Sequence, residues 1–252
     1  MSKKQFLGGK NSSAYIVFYS TVMVVIVAVM LAFTSLSLKE KQNANILDEK
    51  KNAIVASLGL EKGSYDANIE AYVVNNEGVK IETTNTPLDM LFDLAASYAA
   101  GEYPVFEDKN SGALVFPVTG KGLWDDIWGY IALENDLNTI KGVVFDHAGE
   151  TPGLGAEIAT PKYQAQFPGQ TIYEGDQLVG IYVVKGGAQG AAHSVDAVTG
   201  GTKTSEGLQN MIIDCLGCYD NYIKSVKAAK EEVVLTENAE SENEKQNFSI
   251  AD

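Results

Sequence analysis

The ten residues DAVTGGTKTS, Asp196 to Ser205, concentrate hydroxyl and glycine chemistry in one short stretch. Thr204 lies just ahead of Leu208, Met211, Ile212, Cys215, Leu216, Tyr219 and Ile223. Their three- and four-residue spacing marks an amphipathic helix from Ser205 to about Lys230, so a helix starts near Thr204. A Ser or Thr at such a start can accept a free backbone N–H. The same free N–H groups, with the positive end of the helix dipole, attract phosphate. Gly200 and Gly201 let the backbone approach a ligand closely. An ordinary glycine turn capped by a threonine also accounts for these residues.

Other reactive groupings are sparse. His147 and His193 are the two histidines, too few for a His-rich metal site. The Ser, His and Asp of HSVD stand too close together for a triad drawn from separate elements. Cys215 and Cys218 form a CxxC inside the terminal helix, with no second pair to complete a zinc or iron–sulfur site. A disulfide or a buried pair is expected there. GGAQGAA, from Gly186 to Ala192, lacks the spacing and βαβ context of a dinucleotide site and reads as a flexible loop. In ETPGLG, Glu150 to Gly155, Pro152 and two glycines build a turn with little side-chain bulk. Trp124 and Trp128, with Tyr130, read as core aromatics.

The supporting elements begin with an apolar run. No charged residue lies between Lys10 and Lys39 of the 252-residue chain, and Tyr15 to Leu36 is long enough to span a bilayer. The apolar stretch exceeds a signal h-region and Thr34-Ser35-Leu36-Ser37 offers no A-x-A-like cleavage site, so the run reads as a retained anchor and not a signal peptide. Lys3, Lys4 and Lys10 precede it without acidic neighbours, whereas the lysines beyond it are mixed with Glu40, Asp48 and Glu49. That asymmetry leaves residues 1–13 as a cytoplasmic tail, a transmembrane helix over 14–38 and the domain on the periplasmic side. A juxtamembrane helix over 39–60 follows, stopped at Gly59.

Short strands are expected between Tyr65 and Glu82, a helix over Leu88 to Tyr98, and strands at Gly112–Val118, Ile127–Leu133, Ile140–Asp146 and Leu178–Val184. Strands and helices do not alternate regularly. The expected class is α+β, one domain over 61–230 with a curved, mainly antiparallel sheet and flanking helices. Residues 231–252 carry seven acidic residues against Lys245 and few apolar ones, the composition of a disordered acidic tail. The net charge of −14 would repel an extended phosphate backbone, which excludes nucleic acid as a partner.

DAVTGGTKTS resembles the flavinylation motif of membrane flavoproteins, in which Asp precedes a Ser/Thr-Gly-Ala-Thr-x-Thr run and the last Thr is esterified to the phosphate of FMN. Gly201 stands where that motif has Ala. ETPGLG and GKGLWDDIWGYIAL, Gly120 to Leu133, are similar to blocks of the C subunit of the sodium-translocating NADH:quinone oxidoreductase, Nqr. The likeness runs from the anchor through DEKKNAIVASLGL to the end of the terminal helix. The related G subunit of the Rnf electron-transfer complex shares the anchor, an ETPGLG-like block and the flavin motif, while the GLW block favours Nqr.

The resemblance implies a covalent FMN on Thr204, with Thr199, Gly200, Gly201 and Thr202 forming the attachment turn. Asp196 would hold that turn or assist transfer by an external flavin transferase. Glu150, Thr151 and Leu154 would lie near the flat ring, and Leu123-Trp124 could reach it as well. It also implies an electron carrier in the inner membrane without an NADH site of its own. The B, D and E subunits would exchange electrons with it, and the A and F subunits complete the complex. The sodium path would lie elsewhere, because the single span lacks intramembrane acids. From a different class, a non-catalytic anchored module that binds flavin or partners for assembly is the alternative.

Overall fold

The computed structural model describes residues 13–249, and the side-chain surroundings of 13–232. The expected cytoplasmic tail, with Lys3, Lys4 and Lys10, lies outside them but for Ser13 itself. The chain divides into two compact units between Glu49 and Lys50.

Helix α1 (Ser13–Ser57) is unbroken, because no Gly or Pro interrupts it. The segments read as a span and a juxtamembrane helix are thus one element. It is long and apolar enough to cross a membrane by length and composition. The hydroxyls of Ser20, Thr21, Thr34 and Ser37 each donate to the carbonyl four residues earlier, so they are satisfied without water. The helix ends as expected at Gly59, which has φ 75°. The Gly59 N–H bonds the Ala56 carbonyl and the Leu60 N–H bonds Val55, the paired bonds of a Schellman stop.

The second unit contains α2 (Tyr65–Asn68), β1 (Ile69–Asn75), β2 (Lys80–Ile81), α3 (Pro87–Met90), α4 (Leu94–Ala100), β3 (Glu102–Asp108), β4 (Leu114–Lys121), β5 (Asp126–Leu133) and β6 (Ile140–His147). A 3₁₀ helix (Gly155–Ala159), α5 (Pro161–Gln164), β7 (Tyr173–Glu174), β8 (Gln177–Leu178), β9 (Tyr182–Val184), β10 (Ser194–Asp196) and α6 (Thr202–Ser249) complete it. Six strands form one sheet in the order β2-β1-β3-β4-β5-β6. Every neighbouring pair in it is antiparallel. β9 and β10 form a separate parallel pair.

Alternation along the strands sorts two cores onto the two faces of the sheet. Leu114, Phe116 and Val118 of β4, with Ile127, Ile131 and Leu133 of β5, meet the apolar stripe of α6. Val115, Tyr130 and Ala132 point the other way, onto Ile54, Val55 and Leu58 from the end of α1 and onto Leu91 and Leu94. All seven apolar residues that define the α6 stripe in the sequence are buried. The expected helix over 88–98 is two pieces, since the Asp93 carboxylate caps a new start by accepting the Ala96 N–H.

α6 differs from expectation at both ends. It begins at Thr202, which puts Thr204 inside its first turn, and it runs to Ser249. The backbone of residues 231–249 is therefore helical where composition points to disorder. Glu, Ala, Lys, Gln and Leu are good helix formers, and scarcity of apolar residues removes packing partners without removing helicity.

Candidate functional site

β10, a glycine turn and the start of α6 together place Thr204 at the end of the sheet where β4 turns into β5. Thr204 is 0% exposed, and its Oγ1 donates to Glu150 Oε2 at 2.5 Å. Glu150, 4% exposed, is itself gripped from the backbone: the Trp124 N–H donates to its Oε1 at 2.9 Å, and the N–H groups of Asp125 and Leu123 also point at it. Burial would raise this carboxyl. The Thr204 hydroxyl and the three N–H groups outweigh it and hold Glu150 below the ordinary carboxylate value.

Three glycines make this approach possible. A Cβ on Gly155 would overlap both Glu150 Oε2 and Thr204 Oγ1, and one on Gly122 would overlap Glu150 Oε1. A Cβ on Gly207, in the second turn of α6, would overlap the Lys121 carbonyl. The ETPGLG segment closes on the Thr151 carbonyl, which accepts from the Leu154 N–H at 3.1 Å and the Ala156 N–H at 3.2 Å. Gly153 turns the chain there with φ 75°.

The expected site residues divide. Thr204, Glu150, Leu154, Gly200, Gly201 and the backbone of Trp124 come together. Gly200 has φ 75°, and a Cβ on it would lie 2.6 Å from Leu154 Cδ2. Gly201 sits against Val198, where a Cβ would come within 3.0 Å of Cγ1, so the alanine of the motif would be a tight fit here and glycine relieves that crowding. Thr151, Thr199 and Thr202 are exposed at its rim.

Asp196 does not hold the Thr204 turn. Its Oδ1 accepts the Ala188 N–H at 2.6 Å and so pins the loop of residues 186–192. The turn is held instead by Ser205, whose Oγ accepts the Val198 N–H at 3.0 Å. Trp124 is no core aromatic: it is 69% exposed, beside exposed Leu123, whereas Tyr130 is buried and Trp128 half-buried.

These residues fit a phosphorylated flat aromatic cofactor. The hydroxyl lies in a helix's first turn, where backbone N–H groups lack intrahelical partners. Leu123, Trp124 and Leu154 keep apolar surface exposed nearby, and no other large apolar side chain of residues 110–160 is so exposed.

Residues 122–217 match the FMN-binding domain family, a range that encloses Gly122, Glu150, Gly155, Asp196 and Thr204. The C subunit of the Na(+)-translocating NADH-quinone reductase of Pasteurella multocida is 36% identical over 218 residues, covering 75% of this chain and 82% of that protein. The chain belongs to the C-subunit family of these reductases. The Pseudomonas aeruginosa C subunit is 30% identical over 247 residues, covering 84% of this chain and 94% of its own. The crystal structure of the C subunit from Parabacteroides distasonis superposes with a TM-score of 0.67 at 33% identity, covering 74% of this chain and 96% of that one. That from Shewanella oneidensis gives 0.65 at 28%, covering 73% and 99%.

Within this C-subunit fold both cysteines are free. Cys215 is buried and its thiol donates to the Thr119 carbonyl at 3.3 Å. Burial pushes that thiol up to about 11, which leaves it unreactive at neutral pH. Ser205 and the glycines at 122 and 207 were not singled out from the sequence. A serine directly after Thr204, and a glycine in the second turn of an amphipathic helix, are the sequence signals for Ser205 and Gly207.

Proposed function

We propose that this chain carries FMN as a phosphoester on Thr204 and relays electrons within a sodium-pumping NADH:quinone oxidoreductase. One observation carries the reading. A threonine hydroxyl is presented in the first turn of α6 under a turn whose Gly155 admits no side chain, inside the segment that matches an FMN-binding domain. The N–H groups of that first turn would hold the phosphate, with the helix dipole favouring its charge. Leu123, Trp124 and Leu154 would offer apolar surface to the ring, and Glu150 orients the Thr204 hydroxyl before attachment. FMN supplies the redox chemistry, while the protein supplies position, dielectric and electrostatics.

In this reading residues 1–13 are cytoplasmic, 14–38 span the inner membrane and 61–230 form a periplasmic flavin domain. Electrons pass to and from the B, D and E subunits, the A and F subunits complete the complex, and a flavin transferase matures the chain. The relatives carry the name of this reductase's C subunit, which supports the assignment over an Rnf-type G subunit.

Intact and tryptic mass spectrometry of chain purified from its native membrane tests the proposal. FMN minus water is expected on the peptide containing Thr204. Unmodified Thr204 in an active, fully assembled complex would instead favour the assembly-module reading. Thr204→Val should keep the fold yet carry no covalent flavin, and it should lose about 1–3 kcal/mol because Glu150 Oε2 is left buried without its donor.

A further inference from the structure

A threonine hydroxyl is a weak nucleophile until a neighbouring base takes its proton. In this fold the acceptor is already in place. Thr204 Oγ1 lies 2.5 Å from Glu150 Oε2, within the reach required of a general base. The carboxylate cannot drift from that position, because its other oxygen receives the Trp124 N–H and the N–H groups of Leu123 and Asp125 converge on the same side chain. Both residues are buried, so water does not compete for the hydroxyl proton. A base on a hydroxyl that only filled space would need no such fixation, and the glycines at 122 and 155 clear room around the two carboxylate oxygens.

We propose that Glu150 is the catalytic base for attachment of the flavin phosphate to Thr204, an inference that rests on Thr204 being the attachment residue. The donor is a flavin phosphoanhydride, such as a flavin joined through a pyrophosphate to a nucleoside. Thr204 Oγ1 forms a bond to the phosphorus on the flavin side, and the bridging P–O bond of the anhydride breaks. The nucleoside monophosphate leaves with that bond's electron pair. The hydroxyl proton passes to Glu150 and from there to water, and nothing is oxidised or reduced.

The geometry also sets what must move. Gly155 backs directly onto Oγ1, so the turn of residues 151–155 has to lift to admit the phosphorus while Glu150 stays held by the backbone of residues 123–125. Afterwards an anionic phosphodiester has replaced the proton that joined Thr204 to Glu150, and like charges so close disfavour a return to the original contact.

The test uses the full chain made without a flavin transferase, then incubated with the transferase, Mg²⁺ and flavin adenine dinucleotide. Covalent flavin is followed by fluorescence in denaturing gels and by mass. Glu150→Gln keeps the shape and can still bond Thr204, but it cannot take the proton. The attachment rate constant is expected to fall roughly 10²-fold, the low end of a general base's contribution because this carboxylate is held below the ordinary range, with the KM for the dinucleotide unchanged and a cooperative thermal unfolding retained. Attachment at the wild-type rate would overturn the assignment. Should Glu150→Gln not fold, Glu150→Asp decides: drawing the carboxylate back by one methylene should slow attachment at least about tenfold, and an unaltered rate sinks the proposal. If the wild-type chain itself acquires no flavin on Thr204, it is the attachment reading that fails.

Discussion

Thr204 and Glu150 show how a buried hydroxyl–carboxylate contact can be built from backbone. Glycines and peptide N–H groups position the carboxylate, and the carboxylate positions the hydroxyl. In the unmodified chain Glu150 titrates below its ordinary value when folded, so the folded state binds fewer protons than the unfolded one around that value. The resulting stability is complete above about pH 4.3, the ordinary glutamate value, and drains away as pH falls through it and then through the folded one. Glu150→Gln should therefore be less stable than wild type at neutral pH, and the gap should narrow in urea titrations as pH falls below the ordinary glutamate value. Gly155→Ala places a methyl on the Thr204–Glu150 contact. It should cost about 1–3 kcal/mol by overpacking and block covalent flavin, as urea titration and gel fluorescence would read. From their residues alone the DAVTGGTKTS and ETPGLG segments read as glycine-rich turns, and it is the resemblance to the flavinylation motif and to the C-subunit blocks that marks them as candidate sites. That Glu150 reaches across 54 residues to Thr204 was not legible, since sequence carries no distance between two turns that only the sheet brings together.

At the scale of elements, periodicity served best where one face alone is buried. The α6 stripe could be read residue by residue because its other face meets solvent. β3 is hard to read from the sequence because Pro104 and three acidic residues interrupt its apolar pattern, EYPVFED. It is nonetheless an inner strand, pairing fully with β1 but with β4 only at Phe106 and Glu107. Pro104 sits where β3 has parted from β4, so the missing donor is tolerated. The Tyr219 hydroxyl donates to its carbonyl at 2.9 Å, filling the gap from α6. The seat of α6 on β4 yields a paired prediction. A Cβ at Gly207 meets the Lys121 carbonyl, whereas nothing stands near one at Gly217. Gly207→Ala should destabilise by about 1–3 kcal/mol, while Gly217→Ala should stabilise by up to about 1 kcal/mol through helix propensity. Chemical denaturation of the two variants would separate them, and equal effects would refute the close seat of the helix.

At the scale of the whole molecule, the boundary between the two units does not fall where hydropathy changes. The apolar stretch ends at Leu38, yet the second unit begins at Lys50 inside the same helix. Ile54, Val55 and Leu58 are buried in the second core, and the Ser57 carbonyl lies so close to the sheet that Gly142 has no room for a Cβ. A chain started at Gly59 should lose about 5 kcal/mol or more, three apolar side chains at about 1.5–3 kcal/mol each, and should fail to unfold cooperatively. One started at Lys50 should fold. Thermal melts of the two fragments would decide.

The consequence reaches into descent. A membrane leader joined through a slack tether can be traded between genes without touching the domain it delivers. Here the last two turns of α1, from Lys50, are also a wall of the domain, so recombination that supplies a new N-terminal segment has to join upstream of Lys50, and the tail of the old helix is inherited with the domain.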